Sequence, residues 1–370
     1  MTKKELMAMK DYQSDTRGSI EQMGFTLVEL MVGMVVAVIV VAAAFTILTT
    51  TSKALRANEQ IVDTQQNLRV AMELLTRDIK LAGFGNPGVT VGNCTSAIVP
   101  NDQTPTGLDS GPDSVQLLVP VTKAGSSVAN RWTLRAATTT AGVAQILLQT
   151  GGGGAVADMV SSGLAVGSYI SIGGSATAQV SAFDATANTI NVSIPPPLWF
   201  QVENQVYLLQ CIRYQVVVPP DAANLCGGNA PCLTRGVAGV VAGPNAEAPI
   251  AEGIEDLQLS YACDGCVTAI NGGIPDRIID DQNASNSFDQ ADFLSNVPWN
   301  AAPLTPDKIK LVQVALVAKQ SKSDLGFGQS NQSFVGSPTV TVTSDHTLPA
   351  DPNHRRRILV KTVDTRNIGF

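Results

Sequence analysis

An α+β fold, with one long N-terminal helix followed by a large, mostly antiparallel β head, is predicted by three features of this chain. Residues 30 to 52 carry no charge. Beyond them, apolar residues recur at Ile61, Leu68, Met72, Leu75, Ile79 and Ala82, the spacing of a single helical stripe. The remainder reads as short β-prone runs parted by Gly, Pro, Asn and Asp clusters, without the strand-helix alternation of a doubly wound fold.

Composition sets the frame. With 370 residues, 44% hydrophobic and 15% charged, the chain can bury a sizeable core in one large or two ordinary domains, which excludes disorder throughout. The net charge is -7, and the basic Lys3, Lys4, Lys10 and Arg17 of the first 24 residues are balanced by Glu5, Asp11, Asp15 and Glu21. An acidic body of this kind is not built to hold nucleic acid phosphates.

The helix comes in two halves. Residues 25–52 form the apolar half, and at about 1.5 Å per residue the uncharged run reaches roughly 35 Å, enough to cross a hydrocarbon core of about 30 Å. Ala42, Ala43 and Ala44 resemble a secretory cleavage site, but the apolar run is too long for an ordinary signal peptide and continues into the helical pattern. Basic residues precede the span, and Lys53 and Arg56 follow it, a mild bias toward a cytoplasmic N-terminus and an exported body. All six cysteines, Cys94, Cys211, Cys226, Cys232, Cys263 and Cys266, lie after the span, which suits an oxidising compartment.

Residues 53–86 are the amphipathic half. Asn58, Glu59, Asp63, Gln66, Asn67, Arg69, Glu73 and Arg77 form its polar face, and Gly83, Gly85 and Asn86-Pro87 supply the stop. From Thr26 to Ala82 this predicts a rod of roughly 85 Å whose amphipathic half lies against the rest of the chain.

Residues 87–370 form the head. Strands are expected at Val115 to Val119, Arg131 to Arg135, Gln145 to Gln149, Tyr169 to Ile172, Ala178 to Ala182, Thr189 to Ile194, Gln205 to Val218, Asp256 to Tyr261, Lys308 to Ala318, Thr339 to Thr343 and Arg357 to Val363. Residues 122–190, dense in Ala, Gly, Ser and Thr, read as a β insertion with mobile turns around Gly151 to Gly154. Residues 264–307, with Asp276, Asp280, Asp281, Asp289 and Asp292, read as long surface loops.

One carboxylate, Glu29, stands at the mouth of the apolar run. It has two readings. It can sit at interfacial depth, favoured by the helix dipole and hydrated by headgroups. Alternatively, cleavage between Gly24 and Phe25 would create an amine four residues away. In a stack of offset parallel helices, that amine can neutralise the carboxylate of a neighbouring subunit, whose charge costs roughly 2.5 to 3.5 kcal/mol at mid-membrane.

At these residues the chain resembles a known family. Gly24-Phe25-Thr26-Leu27-Val28-Glu29, followed by about twenty apolar residues, is similar to the class III signal of type IV prepilins and type II secretion pseudopilins. The resemblance implies a leader at residues 1–24, cleavage after Gly24 by the prepilin peptidase, and N-methylation of Phe25 by the same peptidase/methyltransferase. Arg69 to Gly85, Glu252 to Tyr261, Ile309 to Ala318 and Arg355-Arg356-Arg357 through Asn367 resemble PilW-type minor pilins. The leader is longer and less basic than is common, which points to Met7, Met9 or a later start. Thr46 replaces the proline that major pilins often carry in the membrane half, which fits a rare or terminal subunit.

The other candidate sites have plainer readings. Cys263-Asp-Gly-Cys266 has the spacing of half a zinc site or a redox pair. With no second CxxC, and with His346 and His354 the only histidines, a disulfide is preferred. Cys226 and Cys232 bracket a short loop that a bridge can close, leaving Cys94 for Cys211, although six cysteines allow 15 pairings. The aspartates from Asp276 to Asp292 lack the spacing of an EF-hand, so solvated loops are preferred to calcium. Gly151 to Gly154 lacks the lysine and helix of a phosphate loop. His354-Arg355-Arg356-Arg357 reads either as a contact for an acidic partner or as an exposed strand end. No residue set suggests catalysis, and no cofactor or metal is expected.

The resemblance implies a minor pilin that initiates or caps a type IV pilus, with other minor pilins, the major pilin, the inner-membrane assembly platform and membrane lipid as partners. It implies a single inner-membrane pass with a periplasmic head before assembly, and a place at the cell surface afterwards. A minor pseudopilin of type II secretion and a tip adhesin are the alternatives.

Overall fold

The computed structural model describes residues 25–370 apart from 86–87, 103–108, 110, 122–131, 138–144, 150–154, 194–199, 220–224, 227, 229, 239, 241–245, 268–270, 323–338, 344–345, 352 and 369–370. The leader at 1–24, the glycine run at 151–154 and the Asn86-Pro87 stop therefore lie outside the described residues. The chain divides into two compact units, one ending at Asn58 and the other beginning at Glu59.

In the first unit, helix α1 (Leu27–Leu81) opens with side chains exposed throughout, among them Val35, Ile39 and Phe45. An 18-residue window here has mean hydropathy 2.8 with none of it buried, so by length and composition the segment can cross a membrane. Three hydroxyls in this run, those of Thr46, Thr49 and Thr50, are satisfied internally. Thr46 Oγ1 donates to the Ala42 carbonyl at 2.8 Å and Thr50 Oγ1 to the Thr46 carbonyl at 2.8 Å, which lowers the cost of carrying them in an apolar medium.

In the second unit the stripe anticipated from the spacing is buried from Leu68 onward, while Ile61 is only half-buried and stays outside the main core. Leu68, Met72, Leu75, Ile79 and Ala82 enter the main core, while Asp63, Arg69, Glu73 and Arg77 face outward. Each large apolar side chain in such a position contributes about 1.5 to 3 kcal/mol. The helix ends where Gly83 turns to φ +80, and its N–H donates to the Leu118 carbonyl at 2.9 Å. A Cβ at Gly83 would lie 2.8 Å from the Asn367 carbonyl oxygen, so both backbone angle and space require glycine.

The head carries two main sheets. The larger has nine strands in the path β1 (Ile98–Asn101), β2 (Ser114–Val121), β7 (Val206–Val217), β4 (Tyr169–Ile172), β5 (Ala176–Asp184), β6 (Thr189–Val192), β3 (Gln145–Leu147), with β8 (Cys232–Val237) joining β7 to β9 (Ala248–Glu252). The smaller orders β10 (Ile254–Cys263), β11 (Ile309–Lys319) and β14 (Arg356–Asp364), and a two-stranded ribbon pairs β12 (Val340–Thr341) with β13 (Thr347–Leu348). Among the described residues every pair of these strands is antiparallel. The helical stripe packs with residues of both larger sheets, Leu117, Ile212 and Tyr214 from one and Leu257, Val314 and Leu316 from the other. This is the long-helix, antiparallel-sheet architecture that the sequence predicts.

Several local expectations need correction. Of the strand expected at Arg131 to Arg135, Arg131 lies outside the described residues, and in the rest Thr133 and Leu134 make only isolated bridges. A short helix, α2 (Ala155–Ser161), stands where only strands and turns were expected. With Trp132, Ile146, Ile170 and Val180 it builds a second apolar core inside the insertion. Strands β1, β8, β9 and β13 were not anticipated, because they are short or interrupted by Pro, Arg and Gly. The described part of the 264–307 segment is irregular and largely exposed between residues 272 and 291, as expected, but Asp264, Asp280, Asp292 and Trp299 are buried in it.

Candidate functional site

The start of α1 is built by its own first turn. Glu29 N–H donates to Thr26 Oγ1 at 3.2 Å. In return Thr26 N–H and Thr26 Oγ1 each donate to Glu29 Oε2 at 3.1 Å. This is a capping box, in which an N-cap threonine and an acid three residues on satisfy each other's free groups. Thr-x-x-Glu was legible in the sequence, and it supplies Glu29 with a partner inside its own chain. Phe25, the residue just before the cap, is 86% exposed, and Glu29 is exposed as well. Gly24 lies outside the described residues.

The other end of α1 is locked to the head by charge. Asp78, placed one step past the apolar stripe, is 2% exposed, and its Oδ2 accepts from the Tyr214 hydroxyl at 2.7 Å and from Arg235 Nε at 2.8 Å. Arg77 Nε reaches its other oxygen at 3.1 Å. Burial, and then the Asp78 charge, push the Tyr214 hydroxyl far above the usual phenol range, so it stays a donor. Burial works against the Arg235 charge, but Asp78 and Tyr214 together more than offset it and hold the guanidinium above its ordinary value. Two further ties reach the helix: Asn67 Nδ2 donates to the Glu252 carbonyl at 3.0 Å, and Asn367 Nδ2 donates to the Lys80 carbonyl at 2.9 Å. The last contact lets the C-terminal segment cap the helix end.

The cysteines are joined as Cys94–Cys211, Cys226–Cys232 and Cys263–Cys266. Beside the last bridge, Asp280 accepts from the main-chain N–H groups of Gly265, Cys266 and Val267 at 3.2, 2.7 and 2.8 Å. Asp264 takes those of Asp276 and Arg277, and Asp292 takes those of Gln282 and Asp289. Asp281 holds three more, from Asn283, Ser285 and Asn286. Asp289 accepts from Ala291 N–H, which lowers its pKa. Asp276 itself accepts from Ile278 N–H at 2.9 Å. These carboxylates organise the loop by capping its backbone.

The two histidines lie near one end of β10 and β14. His346 Nε2 is 3.4 Å from Asp256 Oδ2, both side chains being buried, and His354 Nδ1 is 3.1 Å from Asp351. Burial pushes the Asp256 carboxyl up, while His346 pulls it down. Arg356 grips Glu255 with Nε and Nη2 at 2.7 and 2.8 Å, a bidentate pair that anchors the start of β14 to β10. Nothing in the sequence paired these residues.

Comparison with known proteins places both ends of the chain. No curated protein sequence matches. Among solved structures, a type IV-like pilin from Thermus thermophilus covers 83% of this chain and 98% of its own length, at 13% identity and a TM-score of 0.32. Residues 22–45 match the prokaryotic N-terminal methylation motif, the segment that contains Gly24, Phe25, the capping box and most of the apolar run. Residues 221–367 match the Type IV Pilus-assembly protein W family, a region that includes all of the three-stranded sheet. With a prepilin methylation motif at its start, a PilW region at its end and a long helix leading into an antiparallel β head, the chain is similar to type IV pilin-like proteins, and most similar to the PilW-type minor pilins.

Proposed function

We propose that this chain is a minor pilin that helps to initiate or cap a type IV pilus. The observation that carries the proposal is the methylation motif and its Glu29, standing on the same chain as a PilW region. In this reading residues 1–24 are the leader, 25–52 hold the subunit in the inner membrane, 53–86 pack on the head and 87–370 are exported. The prepilin peptidase cuts after Gly24 and methylates the Phe25 amine. Both reactions are done to this protein, and the chain is structural. The assembly platform then extracts the subunit as helices bundle with those of other minor pilins and the major pilin, moving the head from periplasm to cell surface.

The first turn supports a division of labour. Thr26 fills one oxygen of the Glu29 carboxylate by hydrogen bonding without removing its charge, while Oε1 makes no hydrogen bond among the described residues and remains available for the cationic Phe25 amine of a neighbour. Pairing of that kind gives register to apolar helices that otherwise slide. Mass spectrometry of the mature protein tests the reading: a chain beginning at methylated Phe25 supports it, and an intact leader in cells holding the peptidase overturns it. Glu29→Ala is expected to be cleaved normally yet lost from sheared pili; normal recovery there counts against the pairing.

A further inference from the structure

Strand β14 is the open edge of the smaller sheet. It pairs with β11 along its length, from Lys319↔Arg356 to Leu311↔Asp364, and no other strand adds to it among the described residues. Residues 357 to 362 are all exposed, including Ile358 and Leu359 at 38% and Val360 at 50%. A β-branched, apolar edge with free main-chain groups is a template for another strand, and proteins normally blunt or cover such edges.

The two faces of the strand define what can be added. Val312, Val314, Leu316 and Ala318 of β11 point into the main core, so their partners Val363, Lys361, Leu359 and Arg357 share that side. Ile358, Val360 and Thr362 share the other. Arg356 is already held by Glu255, but neither Arg357 nor Lys361 makes a hydrogen bond or ion pair among the described residues. The edge therefore presents cation, leucine, cation on one side and an apolar pair on the other.

We infer that β14 is a docking edge for an extended segment of another protein that presents acid, apolar, acid along one face and β-branched residues along the other. Charge selects this occupant over a second copy of the chain. A symmetric antiparallel pair must be centred on a residue. Centring on Leu359 sets Arg357 against Lys361, and centring on Lys361 sets it against itself, both like-charge contacts. Centring on Val360 leaves Arg357 against Val363 and Lys361 against Leu359, with no acid for either, and its one opposite-charge contact, Arg356 against Asp364, calls on an arginine that Glu255 already holds. The inference rests on β14 alone and does not depend on how the helix start is used.

The test uses the purified full chain in detergent and a fluorescent peptide, Thr-Glu-Val-Leu-Val-Glu-Thr. The peptide is expected to bind, and two relatives to bind about tenfold more weakly: one with both glutamates changed to lysine, and one N-methylated at alternate amides so that it cannot join a ladder. The Arg357→Glu, Lys361→Glu double variant should reverse the preference toward the lysine peptide. The comparison among peptides on the unaltered chain needs no variant to fold. No binding, equal binding of the acidic and basic peptides, or indifference to N-methylation overturns the proposal. A dimer of the chain that Lys361→Glu alters would overturn the choice of occupant.

Discussion

Asp78 and Tyr214, 136 positions apart in sequence, meet at 2.7 Å inside the contact between the helix and the larger sheet. Arg235 closes the set from the neighbouring strand β8, with its guanidinium carbon 5.9 Å from the centre of the Tyr214 ring. A buried carboxylate is costly unless its lone pairs are filled, and here two strands and the adjacent Arg77 fill them. The triad thereby fixes the rotation and depth of the helix against the sheet, which apolar contacts alone specify weakly.

Asp78→Ala should therefore destabilise the head by about 3 kcal/mol, because it leaves Tyr214 and Arg235 without their acceptor. Asp78→Asn, which can still accept from one of them, should cost less. Thermal unfolding of the full chain in detergent, followed by circular dichroism, measures both. Equal and negligible shifts would sink the claim.

The three bridges should contribute unequally. Cys94 and Cys211 are separated by 117 residues, against 6 for Cys226–Cys232 and 3 for Cys263–Cys266. In the loop-entropy picture, losing the first costs about 4 to 5 kcal/mol and losing the second about 2. Serine pairs at each bridge, compared by denaturant titration, should rank in that order.

Acid should loosen the end of the sheet where Asp351 lies. Burial raises the pKa of this carboxyl, but Lys319 Nζ at 2.6 Å, the Asn353 N–H and His354 hold it well below the usual range. A depressed folded-state pKa contributes stability that is fully present above the unfolded value of about 3.9 and is lost as pH falls toward the folded one. Asp351→Asn should flatten the acid limb of the stability curve below about pH 4. Stability measured between pH 2 and 7 tests this, and an unchanged acid limb would refute it.

Capping and assembly at the helix start can be separated. Thr26→Ala removes the cap and should cost the first turn about 1 kcal/mol, read as faster hydrogen exchange at the Glu29 amide. It keeps the carboxylate, so recruitment into pili should survive. Glu29→Ala removes both functions. If the two variants fail alike in assembly, the role of Glu29 is capping and not pairing with a neighbour.

Much of this was readable before any coordinates. The apolar stripe from Leu68 to Ala82, the uncharged run and the glycine exit are local patterns, and a helix is set by neighbours three and four residues apart. The capping box was equally local, since Thr26 and Glu29 are three apart, and it could have been read from that spacing. The long strands β7, β10 and β11 announce themselves by continuous apolar, β-branched runs. Short β1 and β13 carry no such signal, and they exist because longer neighbours pair with them or close a ribbon around them.

The sequence by itself determined the long two-part helix, its start and stop, the export-compatible cysteines and the carboxylate at the head of the span. Tertiary structure decided which charges go inside: Asp78 onto Tyr214 and Arg235, Asp280 onto three backbone amides, and Glu255 onto Arg356, while Arg357 and Lys361 stay at an open edge. The physical reason is distance along the chain. Periodicity reports whether a residue faces a core, but the partner of a buried charge is set by which strands the sheet order brings alongside, and that order is a property of the whole fold.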